Sequence, residues 1–319
     1  MVFWPIAIIG LAYPFLLLAN VLFVIGWLIQ KNRYFLFSLV CIVLGWNHFQ
    51  SFIGLHFPTN CSESVQIASF NGYSFRYPGT NRAMNKEKEL EKFLKPLDAD
   101  IICIQEFVFK GKNQQAYIDY FKKRGYGNHF MKRHYRLAIF SKFPIKNKTQ
   151  ESFGNYSNGY QMVDVQIGKQ VFRLFNLHLL SNGISMTAEQ VAEKGDLQDK
   201  QTWKNIGRMF RNYKNAAQRR VDQAKEIRKL IDQSPHPVLV CGDFNETAQS
   251  HVYHTIGQDL KDAFKAKGVG LGTTYAGKIP ALHIDHIFVD SQIDICRFKI
   301  SKVAFSDHYP IIATLEIPQ

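Results

Sequence analysis

Charge is what the beginning of this chain lacks. Met1 to Gln30 contains no Asp, Glu, Lys or Arg, and neither does Tyr34 to Ser62. Each stretch exceeds the ~20 apolar residues that carry a helix across ~30 Å of hydrocarbon. Cysteine is scarce as well, with five in 319 residues and no Cys-x-x-Cys pair. That excludes a disulfide-built miniprotein and argues against a structural zinc site. Collagen-like periods, low-complexity tracts and 20–50-residue repeats are all missing, which excludes fibrous and solenoid architectures. Acid is in short supply throughout: Asp plus Glu number 26 against 39 Lys plus Arg, a formal net charge of +13. Nucleic acid, an anionic membrane surface or a phosphorylated substrate would answer such an excess. What is present is a 46% apolar and 14% aromatic composition, enough for a sizeable core and against intrinsic disorder.

The two charge-free stretches predict a membrane anchor over residues 1–60, with two transmembrane helices at about 3–29 and 34–56. Only Gln30-Lys31-Asn32-Arg33 separates them, a turn short enough for a helical hairpin. Trp4, Trp27, Tyr34 and Trp46 lie near the ends, where amphipathic rings favour the interface. A cleaved signal peptide is the bland alternative, but a basic leader and an Ala-x-Ala-like exit are missing. A buried core hairpin is another, yet two such runs in tandem are hard to hide in a soluble domain. Lys31 and Arg33 place the turn in the cytoplasm by the positive-inside tendency, so the rest of the chain is expected to be extracytoplasmic. Cys41 falls in a span, and Cys103 and Cys241 fall on apolar runs as small hydrophobes. Cys61 and Cys296 can pair only if the fold brings them together.

Residues 61–319 alternate strand and helix patterns. Val65 to Phe70, Ile101 to Ile104, Leu137 to Phe140, Gln161 to Ile167, Val171 to Leu180, Val238 to Cys241, Ile284 to Val289 and Ile311 to Ile317 read as strands. Helical spacing covers about Lys86–Leu97 and Lys214–Asp232. Many strands with fewer helices predict an α/β fold, a four-layer α-β-β-α sandwich of two mainly antiparallel sheets. The polar stretch from Asn182 to Arg211 reads either as a solvated loop or helix or as a basic lip over an anionic substrate.

Polar residues recur at the ends of the apolar runs. Asn71, Gln105-Glu106, Asn176 with His178, Asp243 with Asn245, and Ser306-Asp307-His308 all follow or close a strand candidate. Singly, each is a turn residue or a satisfied core histidine. Together they suggest one rim of a sheet where a site is built.

These residues carry a family resemblance. "IASFN", "ADIICIQE", "FNLHL", "VCGDFN", "HIDHIFV" and "FSDHYPI" occur in the order seen in the endonuclease/exonuclease/phosphatase superfamily, which this chain resembles from about Ser64 to the C-terminus. Its members include pancreatic-type deoxyribonucleases, abasic-site endonucleases, neutral sphingomyelinases and inositol-phosphate 5-phosphatases. The resemblance implies hydrolysis of a phosphate ester by a water molecule, assisted by Mg²⁺, with Mn²⁺ as a substitute. Glu106, Asn71 and Asp307 are the expected oxygen donors to the metal. Asp243 and Asn245 are expected to align water and phosphate, and His308 to act with Asp285 as a histidine–carboxylate pair. Either Asp243 or His308 is the general base in the family's two mechanistic versions. His178 and Asn176, with Asn245, are the expected phosphate contacts. His283 and His286 flank Asp285; the family more often has Tyr at the position of His286, which is read as packing or rim. Abasic-site endonucleases carry a carboxylate where this chain has Tyr73, which weakens a repair role.

The expected function is a membrane-anchored phosphodiesterase of the endonuclease type, acting on nucleic acid. Arg208, Arg211, Lys214, Arg219 and Arg220 form a basic cluster for such a substrate, or else the solvated face of a helix. A lipid-headgroup or sphingomyelin phosphodiesterase, or a phosphoinositide phosphatase, is the alternative, since about Phe57–Ser64 alone links anchor to domain. A catalytically silent binding module is the reading from another class. No protein partner is inferable.

Overall fold

The two charge-free runs fold differently from one another. In the computed structural model, which describes residues 10, 12–75, 91, 94–107, 113–132, 135–155, 157–181, 198–277, 281–303 and 306–317, the first run forms α1 (Tyr13–Ile29), with Pro14 in its first turn, where a missing N–H costs nothing. Residues 3–9 of the expected span lie outside the described residues. The second run is not one helix over 34–56. It forms α2 (Phe35–Leu44), breaks at Gly45, resumes as α3 (Trp46–Gln50) and then extends into β1 (Ile53–Leu55). A ten-residue helix rises ~15 Å, half of a bilayer's hydrocarbon, and no helix among the described residues is long and apolar enough to cross a membrane. α1 and α2 pack together as a hairpin, with large apolar side chains such as Phe23, Ile29 and Phe37 exposed.

The remaining elements follow in order. They are β2 (Ser64–Asn71), β3 (Ile101–Gln105), α4 (Asn113–Lys123), β4 (Asn128–Phe130), β5 (Leu137–Ser141), β6 (Ile145–Asn155), β7 (Asn158–Ile167) and β8 (Gln170–His178). Next come α5 (Lys200–Asp232), β9 (Val238–Asp243), α6 (His251–Ile256), β10 (Leu260–Asp262), α7 (Ala263–Lys267) and β11 (Val269–Leu271). Finally come β12 (Asp285–Asp290), β13 (Asp294–Ile300) and β14 (Ile311–Glu316). One six-stranded sheet runs β10-β12-β9-β8-β7-β6 and the other β13-β14-β2-β3-β5-β4, while β1 and β11 make a separate antiparallel ribbon. Each large sheet is antiparallel except for one parallel pair, β8–β9 and β2–β3 respectively. A parallel pair needs a long crossover, and α5 lies within the one that joins β8 to β9.

Layering explains why the strands read as unbroken apolar runs. Ile67, Ile101, Cys103, Val163, Leu174 and Cys241 fill the space between the sheets. The alternate residues Phe70, Ile102 and Ile104 pack outward with Tyr117 and Phe121 of α4. Phe175, Leu177 and Val240 pack outward with Ala224, Ile227 and Ile231 of α5. Strands covered on both faces need apolar residues at every position, and the result is the expected four-layer α/β sandwich. Of the helix expected near 86–97, residues 86–90 lie outside the described residues, while Leu94 and Leu97 are buried. α5 begins well before the expected Lys214, because Asp199 caps it by accepting from Gln201 N and Thr202 N.

Candidate active site

Register brings the polar strand ends to one rim. Asn71 pairs with Gln105 at the ends of β2 and β3, and His178 pairs with Asp243 at the ends of β8 and β9. Asp285, at the start of antiparallel β12, pairs with Asp243. Ile311 pairs with Ser69, so the Ser306–His308 segment just before β14 reaches the same rim. Gly242 is required there. Its φ is +148°, and an added Cβ would lie 2.0 Å from Leu177 O, a contact no side chain tolerates.

Asp243 is the hub. Its Oδ2 accepts from Asn71 Nδ2 at 3.0 Å, and its Oδ1 accepts from Asn245 N at 2.9 Å. Two imidazoles flank it: His178 Nε2 at 3.7 Å and His308 Nε2 at 3.8 Å from Oδ2. His178 Nδ1 donates to Ser157 O at 2.7 Å, which turns Nε2 toward Asp243. His308 Nδ1 donates to Asp285 Oδ2 at 2.9 Å. Asp285 itself is held by Thr274, whose Oγ1 accepts from Ile284 N and Asp285 N. Ser306 Oγ donates to Asn71 O at 2.7 Å and accepts from His308 N, tying the two sides of the rim together. Burial by itself would discharge His308, but the negative charges of Asp285 and Asp243 outweigh it and hold the imidazole protonated well above its usual range.

Glu106 and Asp307 stand beside this hub and remain half-buried. Glu106 has φ +50°, as does Asn245 at +51°, a conformation that costs energy in a non-glycine residue and clusters at functional sites. Asn71 Nδ2 lies 3.5 Å from Glu106 Oε1. Burial lifts the Asp307 carboxyl above its usual range, and the charges of Glu106 and Asp243 lift it further against the pull of His308. Carboxylates crowded into mutual repulsion are a donor set suited to a hard divalent cation, whereas Asn71, expected as a further donor, turns its Nδ2 toward them and accepts at Oδ1 from Tyr73 N at 3.0 Å. Glu106 and Asp307 fit that role. Asp243, Asp285 and His308 also lie within 4.8 Å of one another, but the His308–Asp285 bond marks them as an acid–base group.

Two expected residues are placed elsewhere. Asn176 is fully buried between the sheets. Its Oδ1 accepts from Gln105 Nε2 at 2.7 Å, and its Nδ2 faces Ile104 O, Ala138 O and Gln161 Oε1. With every polar atom committed, it braces the sheets and does not face the hub. Arg220 of the basic cluster is also buried, giving Nε and Nη2 to Glu246 Oε1 and Nη1 to Leu180 O. An ion pair locked inside serves to fix the loop that carries Asn245. Asn245 reaches the rim, its Nδ2 donating to Leu179 O. His286 is packing: buried, it stacks on His283 at 4.8 Å, and its Nε2 donates to Glu246 O. Burial lowers His283 to about 3 and His286 to about 4, so both are neutral. Sequence reading missed Thr274, Ser157 and Glu246. Only Glu246, next to Asn245, lay near a recognisable motif.

The geometry can be set beside known proteins. D. rerio TDP2 complexed with single strand DNA product is 17% identical over 80% of this chain and 100% of its own, with a TM-score of 0.55. An endonuclease/exonuclease/phosphatase family protein from Bacteroides thetaiotaomicron is 16% identical over 81% and 99%, TM-score 0.56. Beta toxin from Staphylococcus aureus is 18% identical over 78% and 99%, TM-score 0.52. These likenesses concern the fold. No curated protein matches the chain. A domain of unknown function matches residues 1–52. The Endonuclease/Exonuclease/phosphatase family matches residues 68–308, from the first strand of the sandwich to the rim histidine, and the chain belongs to that family.

Proposed function

We propose that the chain is a divalent-metal-dependent phosphodiesterase tethered to a membrane by its N-terminal hairpin. The observation that carries the hydrolytic reading is the convergence of Glu106, Asp307 and Asn71 with the Asp243–His308–Asp285 group on one rim. A divalent cation held by Glu106 and Asp307 would polarise a phosphoryl oxygen and offset charge on the leaving oxygen. Asp243, fixed by Asn71 and Asn245, orients a water molecule and accepts its proton. His308, kept charged by Asp285, presents Nε2–H to the phosphate oxygens as negative charge grows on them. His178 adds its Nε2, 3.7 Å from the same Asp243 oxygen, as a further phosphate contact.

The DNA-product complex of D. rerio TDP2 supports nucleic acid as the substrate class. A lipid-headgroup diester is the second reading, supported by where the hairpin joins the domain: Gly10 lies against Gln249, close behind Asn245. Charge-free, apolar-surfaced α1 and α2 support insertion into a bilayer. Cys61 and Cys296 form a disulfide, which supports placing the sandwich in an oxidising, extracytoplasmic compartment. The test is an assay of the full chain with Mg²⁺ or with chelator against plasmid DNA, RNA, sphingomyelin and phosphoinositides. Glu106→Ala and His308→Ala are each expected to lower turnover by about 10³-fold, the half-buried Glu106 with the melting temperature nearly unchanged and the buried His308 with a lowered one, since Asp285 then loses its partner. Activity retained by both variants refutes the assigned roles, and cleavage of lipids alone rejects nucleic acid.

A further inference from the structure

Among the described residues beyond Gln50, the exposed large apolar side chains fall in two places. Leu55, Phe57, Val269 and Leu271 lie on or beside the β1–β11 ribbon, and Trp203 and Phe210 lie on α5. The α5 pair and the ribbon lie toward the catalytic end of the sandwich, whereas Phe57 leads down to Thr59, which bonds Cys296 toward the far end. β10 runs toward the rim, with Leu260 opposite Asp290 and Asp262 opposite Phe288, while Asp285 marks the rim end of β12. α7 and the ribbon therefore follow at that end. The chain then bridges from Tyr275 to His308. α5 passes the rim at Arg220, which holds Glu246 and Leu180 O. Its other end leads into β9 at the far side, so Lys200 stands ~30 Å beyond the rim along the helix axis.

This overhang is strongly basic. No Asp or Glu occurs from Lys200 to Val221, and Lys200, Lys204, Arg208 and Arg211 are exposed. At spacings of four, four and three these side chains fall on one helix face, with Trp203 and Phe210 seven apart beside them. Cations flanking aromatic residues are the make-up of a helix lying in a bilayer interface.

We propose that the Lys200–Lys214 section of α5, together with the β1–β11 ribbon, docks onto an anionic phospholipid surface and holds the sandwich at the bilayer. The proposal rests on the hairpin being inserted in that bilayer. A nucleic acid would satisfy the same cations, but it has no use for the exposed Leu55, Val269 and Leu271, whereas a lipid surface satisfies both sets. Each Lys or Arg near an anionic surface contributes about a fivefold gain in partitioning.

The experiment uses the full chain in vesicles of phosphatidylcholine with or without phosphatidylglycerol, some lipids carrying bromine near the headgroup. The emission lost on changing Trp203 to Phe (W203F) reports this residue alone. That emission is expected to be quenched in the anionic vesicles, and Lys204→Glu with Arg208→Glu and Arg211→Glu is expected to cut the quenching severalfold. Hydrogen exchange at residues 200–214, slowed by anionic vesicles, gives the same answer without any substitution. No quenching and no slowing in anionic vesicles overturns the proposal. So does protection of the helix by single-stranded DNA but not by lipid, which would assign it to nucleic acid. Quenching by deep acyl bromines of a tryptophan introduced midway along α1 (Val21→Trp) reads hairpin insertion separately, and turnover of bis(p-nitrophenyl) phosphate reads hydrolysis separately. Failure of either is thereby told apart from failure of docking.

Discussion

The hairpin and the sandwich are both rich in large apolar residues, yet they treat them in opposite ways. Along α1 only Leu17 is buried, and along α2 nothing is. In the sandwich, β3 and β9 are buried at every position. Helix period and strand period both appear in the sequence, but only in the sandwich does a second layer cover each apolar face. The hairpin's apolar surface has no protein partner of comparable extent among the described residues. Its exposed side chains are therefore indifferent to the folding of the domain, whereas those of the sandwich hold it together.

The largest expected break of this contrast is at Arg220. Arg220→Met leaves Glu246 buried without its cation and is expected to destabilise the sandwich by about 3–5 kcal/mol, read as a lowered denaturation midpoint. Phe140, fully buried and stacked on Phe121 at 3.7 Å, comes next. Phe140→Ala is expected to cost about 3–5 kcal/mol. At the other extreme is Phe37→Ala, at a side chain 71% exposed, expected to move the midpoint of the sandwich by less than ~0.5 kcal/mol. Equal losses at Phe140 and Phe37 would show that hairpin and sandwich unfold as one cooperative unit.

Acid sharpens the comparison from within the sandwich. Burial holds His283 near 3 and His286 near 4, below the usual histidine value of 6.5. The unfolded chain takes up these protons first. Stability is therefore full above pH 6.5 and falls as pH drops toward 4 and then 3. The loss is on the order of 3 kcal/mol for His286 alone. A denaturation series from pH 7 to pH 4 checks this, and His286→Phe should flatten the slope. An unchanged slope in that variant would mean that other groups set the acid sensitivity.

Much of the sandwich was legible in the residues themselves. Strands such as Ile101–Gln105 could be read because burial on both faces leaves an apolar run, and the rim residues could be read because a core strand has no reason to end in a carboxylate or an amide. The role of Asn176 was not legible. It lies two residues from His178 on the same face of β8, yet it meets Gln105 across the sheets as well as Gln161 on the neighbouring strand, and only the packing of both sheets reveals that. Nor could the second hydrophobic run disclose its break at Gly45. Hydropathy is the same for a helix in lipid and for a strand such as Ile53–Leu55, whose partner, Val269–Leu271, lies more than two hundred residues away.

By itself the sequence determined which segments are apolar, their period, the excess of basic charge and the set of oxygen- and imidazole-bearing groups at strand ends, because these are local properties of the chain. Tertiary structure alone decided which of those groups meet. It put Asp285 against His308, Arg220 against Glu246 and Cys61 against Cys296. Contacts between residues so distant along the chain depend on sheet register and layer packing, and no short-range pattern encodes them.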